Sequence, residues 1–71
     1  MKPIWPNRHT QLWDLLNALL EGKRFTVVSA IDTLGIYALS QRCGDLKRLR
    51  WPVRDEWFET SHGARVKRYF L

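Results

Sequence analysis

Up to Arg50 the apolar residues of this chain recur at helical spacing, and beyond Trp51 and Pro52 that period is lost. In residues 10–22, TQLWDLLNALLEG, Leu12, Leu15, Leu16, Leu19 and Leu20 form a broad apolar face with Trp13 at its edge. Thr10 is placed to cap this helix and Gly22 to end it. Lys23, Arg24 and Phe25 leave room for one short strand. Next, Val27, Ala30, Ile31 and Leu34 fall at i, i+3, i+4 and i+7, with Thr26 as N-cap and Gly35 as stop. A glycine there accepts the left-handed conformation that redirects the chain. A third helix is predicted from Tyr37 or Ala38 to Arg50. Two helices joined by so short a glycine turn make a helix-turn-helix.

The third helix has two chemically different faces. Leu39, Cys43, Leu46 and Leu49 cluster on one side, whereas Tyr37, Ser40, Gln41, Gly44, Lys47 and Arg48 lie on the other. The outward face reads as polar and basic, uninterrupted by acid, with Asp45 on its flank. Arg42 and Arg50 border the apolar stripe, where their stems can pack while their heads reach solvent. A helix with such a face fits the DNA major groove, which offers acceptors to Arg and Lys and mixed edges to Gln. The plainer reading is a solvated surface helix.

After the break, Val53–Thr60 (VRDEWFET) has the aromatic and β-branched content of a strand, and Ser61, His62 and Gly63 make a turn. Residues 64–71 (ARVKRYFL) then alternate, with Arg65, Lys67 and Tyr69 on one face and Val66, Arg68 and Phe70 on the other. The pair predicts a β-hairpin with a basic return strand.

With 71 residues, the chain can build one modest core, and 45% hydrophobic content suffices for it. The expected organisation is an N-terminal extension over residues 1–9 and one domain over residues 10–71. The formal net charge is +5, and residues 42–71 hold eight basic against four acidic side chains. That bias favours polyanions, nucleic acid ahead of anionic lipid. No segment pairs a long apolar face with a Lys-rich one, no apolar run approaches membrane-spanning length, and MKPIWPNRHT lacks the apolar stretch of a signal peptide. The expectation is a cytoplasmic protein without a membrane partner.

Cys43, the single cysteine, falls on an apolar stripe and reads as a small buried hydrophobe. Together with His9 and His62 it supplies too few ligands at these spacings for a metal. No Ser, His and acid spacing suggests a triad, and no glycine-rich loop can cradle phosphate. Neither an enzyme nor a cofactor is expected.

Helix, short strand, helix, basic helix and hairpin is the order of a winged helix-turn-helix, an α+β fold. The run YALSQRCGDLKRLRWPV followed by WFETSHGARVKRYFL resembles the small winged helix-turn-helix domains common in bacteriophage and prophage genes. Leu39, Ser40, Arg42, Leu46, Val53, Trp57, Gly63, Val66, Tyr69 and Leu71 carry the resemblance, which spans about residues 10–71. Cys43 departs from it where a larger aliphatic is usual, and Trp51 stands near the usual helix-ending glycine. The resemblance implies a regulator that binds double-stranded DNA sequence-specifically, as a transcription factor or an excisionase-like architectural factor.

Under that reading Tyr37, Ser40, Gln41, Lys47 and Arg48 meet DNA from the third helix. Arg42 acts mainly in structure while also reaching phosphate, and His62, Arg65 and Lys67 form the gripping wing. A homodimer or cooperative array would enlarge the small footprint, with Trp5 and Trp13 as exposed contacts. The alternative is a winged helix that binds and inhibits a host or defence protein. It draws on the large rings Trp5, Trp13, Trp51, Trp57, Phe58 and Phe70, more than one small core easily hides.

Overall fold

The computed structural model describes residues 2–71 as three helices and a two-stranded antiparallel hairpin, an α+β arrangement. Helix α1 is Gln11–Leu20, α2 is Val27–Leu34, α3 is Leu39–Arg48, strand β1 is Arg54–Glu59 and β2 is Arg65–Phe70. No helix among the described residues is long and apolar enough to cross a membrane.

The first two helices start and stop where their capping residues dictate. Thr10 accepts from the Trp13 amide at 3.2 Å, and Gly22, at φ 90°, turns the chain out of α1. Thr26 and Ser29 form a reciprocal capping box on α2, and Gly35 closes it in the left-handed conformation. The third helix is shorter than its pattern. Tyr37 and Ala38 precede it, and Ala38 caps it without a side-chain hydrogen bond. At its other end Arg50 adopts φ 71°, where glycine is usual. The Arg50 amide then donates to Lys47 O and the Trp51 amide to Leu46 O at 3.1 Å. These bonds satisfy the last carbonyls of the helix, so the termination motif forms without its glycine.

Leu15, Leu16, Leu19, Ala30, Ile36, Leu39, Cys43 and Leu46 build the centre of the core. Two parts of the predicted apolar faces lie outside it: Leu20 is 47% and Val27 46% exposed. Ile36 joins the core instead. It follows the Gly35 turn, its amide donates to Ala30 O, and it is fully buried between the helices.

The segment before α2 becomes a single bridge residue rather than a strand. Phe25 exchanges both backbone hydrogen bonds with Tyr69, at 2.9 and 2.7 Å, on the side of β2 away from β1. One carboxylate reinforces this junction: Glu56 Oε1 accepts from Arg24 at 2.6 Å and from Arg68 Nε at 2.9 Å. The two guanidiniums hold the Glu56 carboxyl below its ordinary range.

The N-terminal extension folds back on the helices. The Ile4 amide donates to Leu49 O at 2.8 Å, and the Trp51 indole N–H donates to Ile4 O at 2.7 Å. Between these bonds the Trp5 ring packs against Trp13 at 5.4 Å and edge-on against Trp51 at 5.0 Å. The rings expected to be free for a dimer contact are therefore already stacked, because one indole left in water gains apolar cover from two others. Trp5 nevertheless keeps half of its surface exposed.

Candidate nucleic-acid interface

Burial divides α3 along the line drawn by its sequence. Leu39, Cys43 and Leu46 are buried, whereas Ser40, Gln41, Lys47 and Arg48 are exposed. Among the described residues the side chains of Ser40, Gln41 and Lys47 have no intramolecular hydrogen bond or ion pair. They present two neutral polar groups and one cation to solvent from a rigid element. Gly44 lies between them in the helix, and a Cβ there would meet no other atom within 4 Å. Nothing inside the protein requires glycine at that position.

Two expected residues differ from their sequence reading. Tyr37 is 76% exposed but sits in the turn before α3, so it flanks the helix instead of belonging to it. Asp45 is not a bystander on the flank. Its carboxylate lies 3.4 Å from Arg48 and 3.4 Å from Arg42, one turn away in each direction. The basic face is thus partly neutralised by an acid that the helical wheel had set aside. Arg42 is half-buried, engages Asp45 and leaves its Nε enclosed without a partner, consistent with a structural part.

The hairpin tip is a tight turn in which the Thr60 amide donates to Ala64 O at 2.8 Å. Gly63 adopts φ 82° beside the exposed His62. Alternation puts Asp55, Trp57 and Glu59 on one face with their cross-strand partners Tyr69, Lys67 and Arg65. Arg65 and Lys67 stand over the Trp57 ring at 5.1 and 5.8 Å from its centroid. Their positive ends are held by the ring's negative faces while still meeting water. The face is mixed rather than purely basic, since Glu59 lies opposite Arg65.

Burial pushes the Cys43 thiol up to about 12, with Lys47 lowering it and Asp55 raising it. Two further cations were missed by the sequence reading of the site. Arg50 and Arg54 are exposed and lack an acidic partner among the described residues, and Arg54 lies 5.2 Å from the Phe70 ring. Their signal is the cluster RLRWPVR, in which Arg50 reads as bordering the apolar stripe and Arg54 as part of a strand.

Among the described residues no group of three or more His, Cys, Asp and Glu is placed to hold a metal ion. No protein-family model matches the chain, and no curated protein or solved structure matches it.

Proposed function

We propose that this chain is a winged helix-turn-helix domain of the bacteriophage or prophage type that binds double-stranded DNA sequence-specifically as a small regulator. The observation that carries the reading is the state of α3. One side, at Leu39, Cys43 and Leu46, is locked into the core, while among the described residues Ser40, Gln41 and Lys47 on the other have no side-chain partner. A rigid helix with unspent donors and acceptors is what groove readout uses, with Gln matched to adenine and Arg to guanine. Here Gln41 and Arg48 read base edges, Tyr37 and Ser40 approach from the start of α3, and Lys47 contacts phosphate. Arg42 supports the helix. The hairpin, with His62 at its tip and Arg65 and Lys67 on its return strand, lies along the backbone as the wing.

A single α3 covers few base pairs. The functional unit is accordingly a dimer or array on half-sites about 10 bp apart.

The test is a salt-dependent titration against mixed genomic fragments, followed by footprinting of the retained DNA. The logarithm of affinity should fall with the logarithm of salt at a slope of about −0.9 per phosphate contacted. Alanine at both Arg65 and Lys67 should make that slope shallower by roughly one unit per lost contact with base preference retained. Alanine at Gln41 or Arg48 should instead relax base preference. Retention of wild-type affinity and site preference in both Gln41→Ala and Arg48→Ala rules out this docking.

The alternative reading, a module that binds a host or defence protein, is favoured by one observation. Val28 is 67% and Trp57 61% exposed, which leaves apolar surface around the hairpin.

A further inference from the structure

The outer edge of β2 is open for only part of its length. Tyr69 directs its amide and carbonyl away from β1, to Phe25. In an antiparallel pair every second residue points the same way, so Lys67 and Arg65 also turn their backbone groups outward. Neither group has a backbone partner among the described residues. The chain leaves this edge at Thr26 to enter α2, and pairing stops after one bridge.

Beside the open edge lies a cleft of about 400 Å³ between the hairpin and the first turn of α2. Phe58 and Val66, cross-strand neighbours, contribute from the hairpin. Val27 and Val28, both exposed, contribute from the helix, with Asp32 one turn further along it. Unpaired strand groups and an apolar cleft next to them require the same occupant: an extended segment that pairs with β2 and turns one side chain into the cleft.

Charge selects which segment. Residues opposite Arg65 and Lys67 would lie on the face of those cations, Lys67 itself bordering the cleft, and the residue between them would lie on the face of Val66 and Phe58. A second copy meeting this edge through its own β2 would set Arg65 against Lys67, a pairing of like charges. We infer that the β2 edge is a docking site for an extended segment of another protein with the pattern acidic, apolar, acidic. The two acids face Arg65 and Lys67, and the apolar side chain enters the cleft bounded by Val27, Val28, Phe58 and Val66. Arg65 and Lys67 are also the wing cations proposed above, so such a segment and DNA would compete for them.

The test uses the whole chain, ¹⁵N-labelled, and the blocked peptide Gly-Ser-Glu-Leu-Glu-Ser-Gly. Controls replace both Glu by Lys, or Leu by Gly. Saturable shifts are expected at the amides of Arg65, Val66 and Lys67 and around Val27 and Val28, with slower exchange of the Lys67 amide and weaker binding of both controls. Lys67→Pro and Lys67→Ala lose the same cation, but only proline removes the outward N–H, which makes no bond within the hairpin. Proline should bind about fivefold more weakly than alanine, the effect of one exposed backbone hydrogen bond.

Val28→Glu, at an exposed position, should weaken binding without touching the strand. Shifts scattered over α3, equal binding of the Leu-to-Gly peptide, or equal affinity in the two Lys67 variants would overturn the proposal. So would concentration-dependent shifts at these amides without peptide, which would make a second copy the occupant.

Discussion

The indole of Trp51 and the backbone of Ile4 are joined by a 2.7 Å hydrogen bond that spans 47 positions of the sequence. With the Ile4 amide on Leu49 O, it fastens the N-terminal arm across the end of α3. Trp51→Phe keeps most of the ring and loses the donor. We expect a loss of about 0.5–1.5 kcal/mol in urea denaturation, the usual net worth of one hydrogen bond. The arm should also release Trp5, seen as a red shift in fluorescence of the native state. A variant with unchanged midpoint and emission would mean that the clamp adds nothing.

Arg50 holds a left-handed conformation, φ 71°, that costs a side-chain-bearing residue roughly 1–2 kcal/mol. Arg50→Gly removes that strain, offset in part by the greater freedom of glycine in the unfolded chain. The urea midpoint should rise, by the equivalent of about 1 kcal/mol or less. Arg50→Val should lower it, because a β-branched residue is least tolerant of positive φ. A lower midpoint for the glycine variant would contradict the assigned helix ending.

Gly44 separates stability from binding. Its Cβ position is open space and its φ is not positive, so alanine should gain up to about 1 kcal/mol of helix propensity. If DNA lies against α3, the added methyl group stands between Gln41 and Lys47 on the approached face. The expected outcome is a higher melting temperature together with weaker DNA binding. A gain in both would place the approach elsewhere on the protein.

Asp45 restrains two arginines at 3.4 Å. Asp45→Asn should cost under about 1 kcal/mol, since Arg48 is largely solvated and such surface pairs are weak. It should strengthen DNA binding at low salt by removing a negative charge from the approached face and releasing Arg48. Unchanged or weaker binding would show that Arg48 does not face DNA.

Cys43 should resist thiol reagents until the protein unfolds, because its thiol is pushed up to about 12 from an ordinary 9.0. The folded protein retains this proton longer than the unfolded chain. Its contribution to stability is therefore complete below pH 9.0 and is lost as pH rises toward about 12. Denaturation midpoints measured across that interval should fall in the wild type more steeply than in Cys43→Ala. Parallel profiles would show that the thiol is accessible.

Local patterns made much of this protein legible from its sequence. The caps Thr10 and Thr26, the breaks at Gly22 and Gly35, and the buried side of α3 depend on interactions within one turn of helix, which neighbouring residues specify. The hairpin was equally visible, since its alternation and the turn through Gly63 are local. The exposure of Ser40, Gln41, Lys47 and Arg48 follows from the same periodicity, whereas Tyr37 lies before α3 and Gly44 is half-buried.

Tertiary structure decided what depended on distant partners. The reach of the Asp45 carboxylate to two arginines depends on rotamers that a helical wheel omits. Ile36, beyond the Gly35 turn, is fully buried in the core while Val27 at the start of α2 is half exposed, a division that depends on how the helices pack and not on the apolar period alone. The packing of Trp5 on Trp51 and the single bridge from Phe25 to Tyr69 join residues more than 40 positions apart. Such contacts form only after the core has fixed where both segments stand, and no periodicity along the chain encodes them.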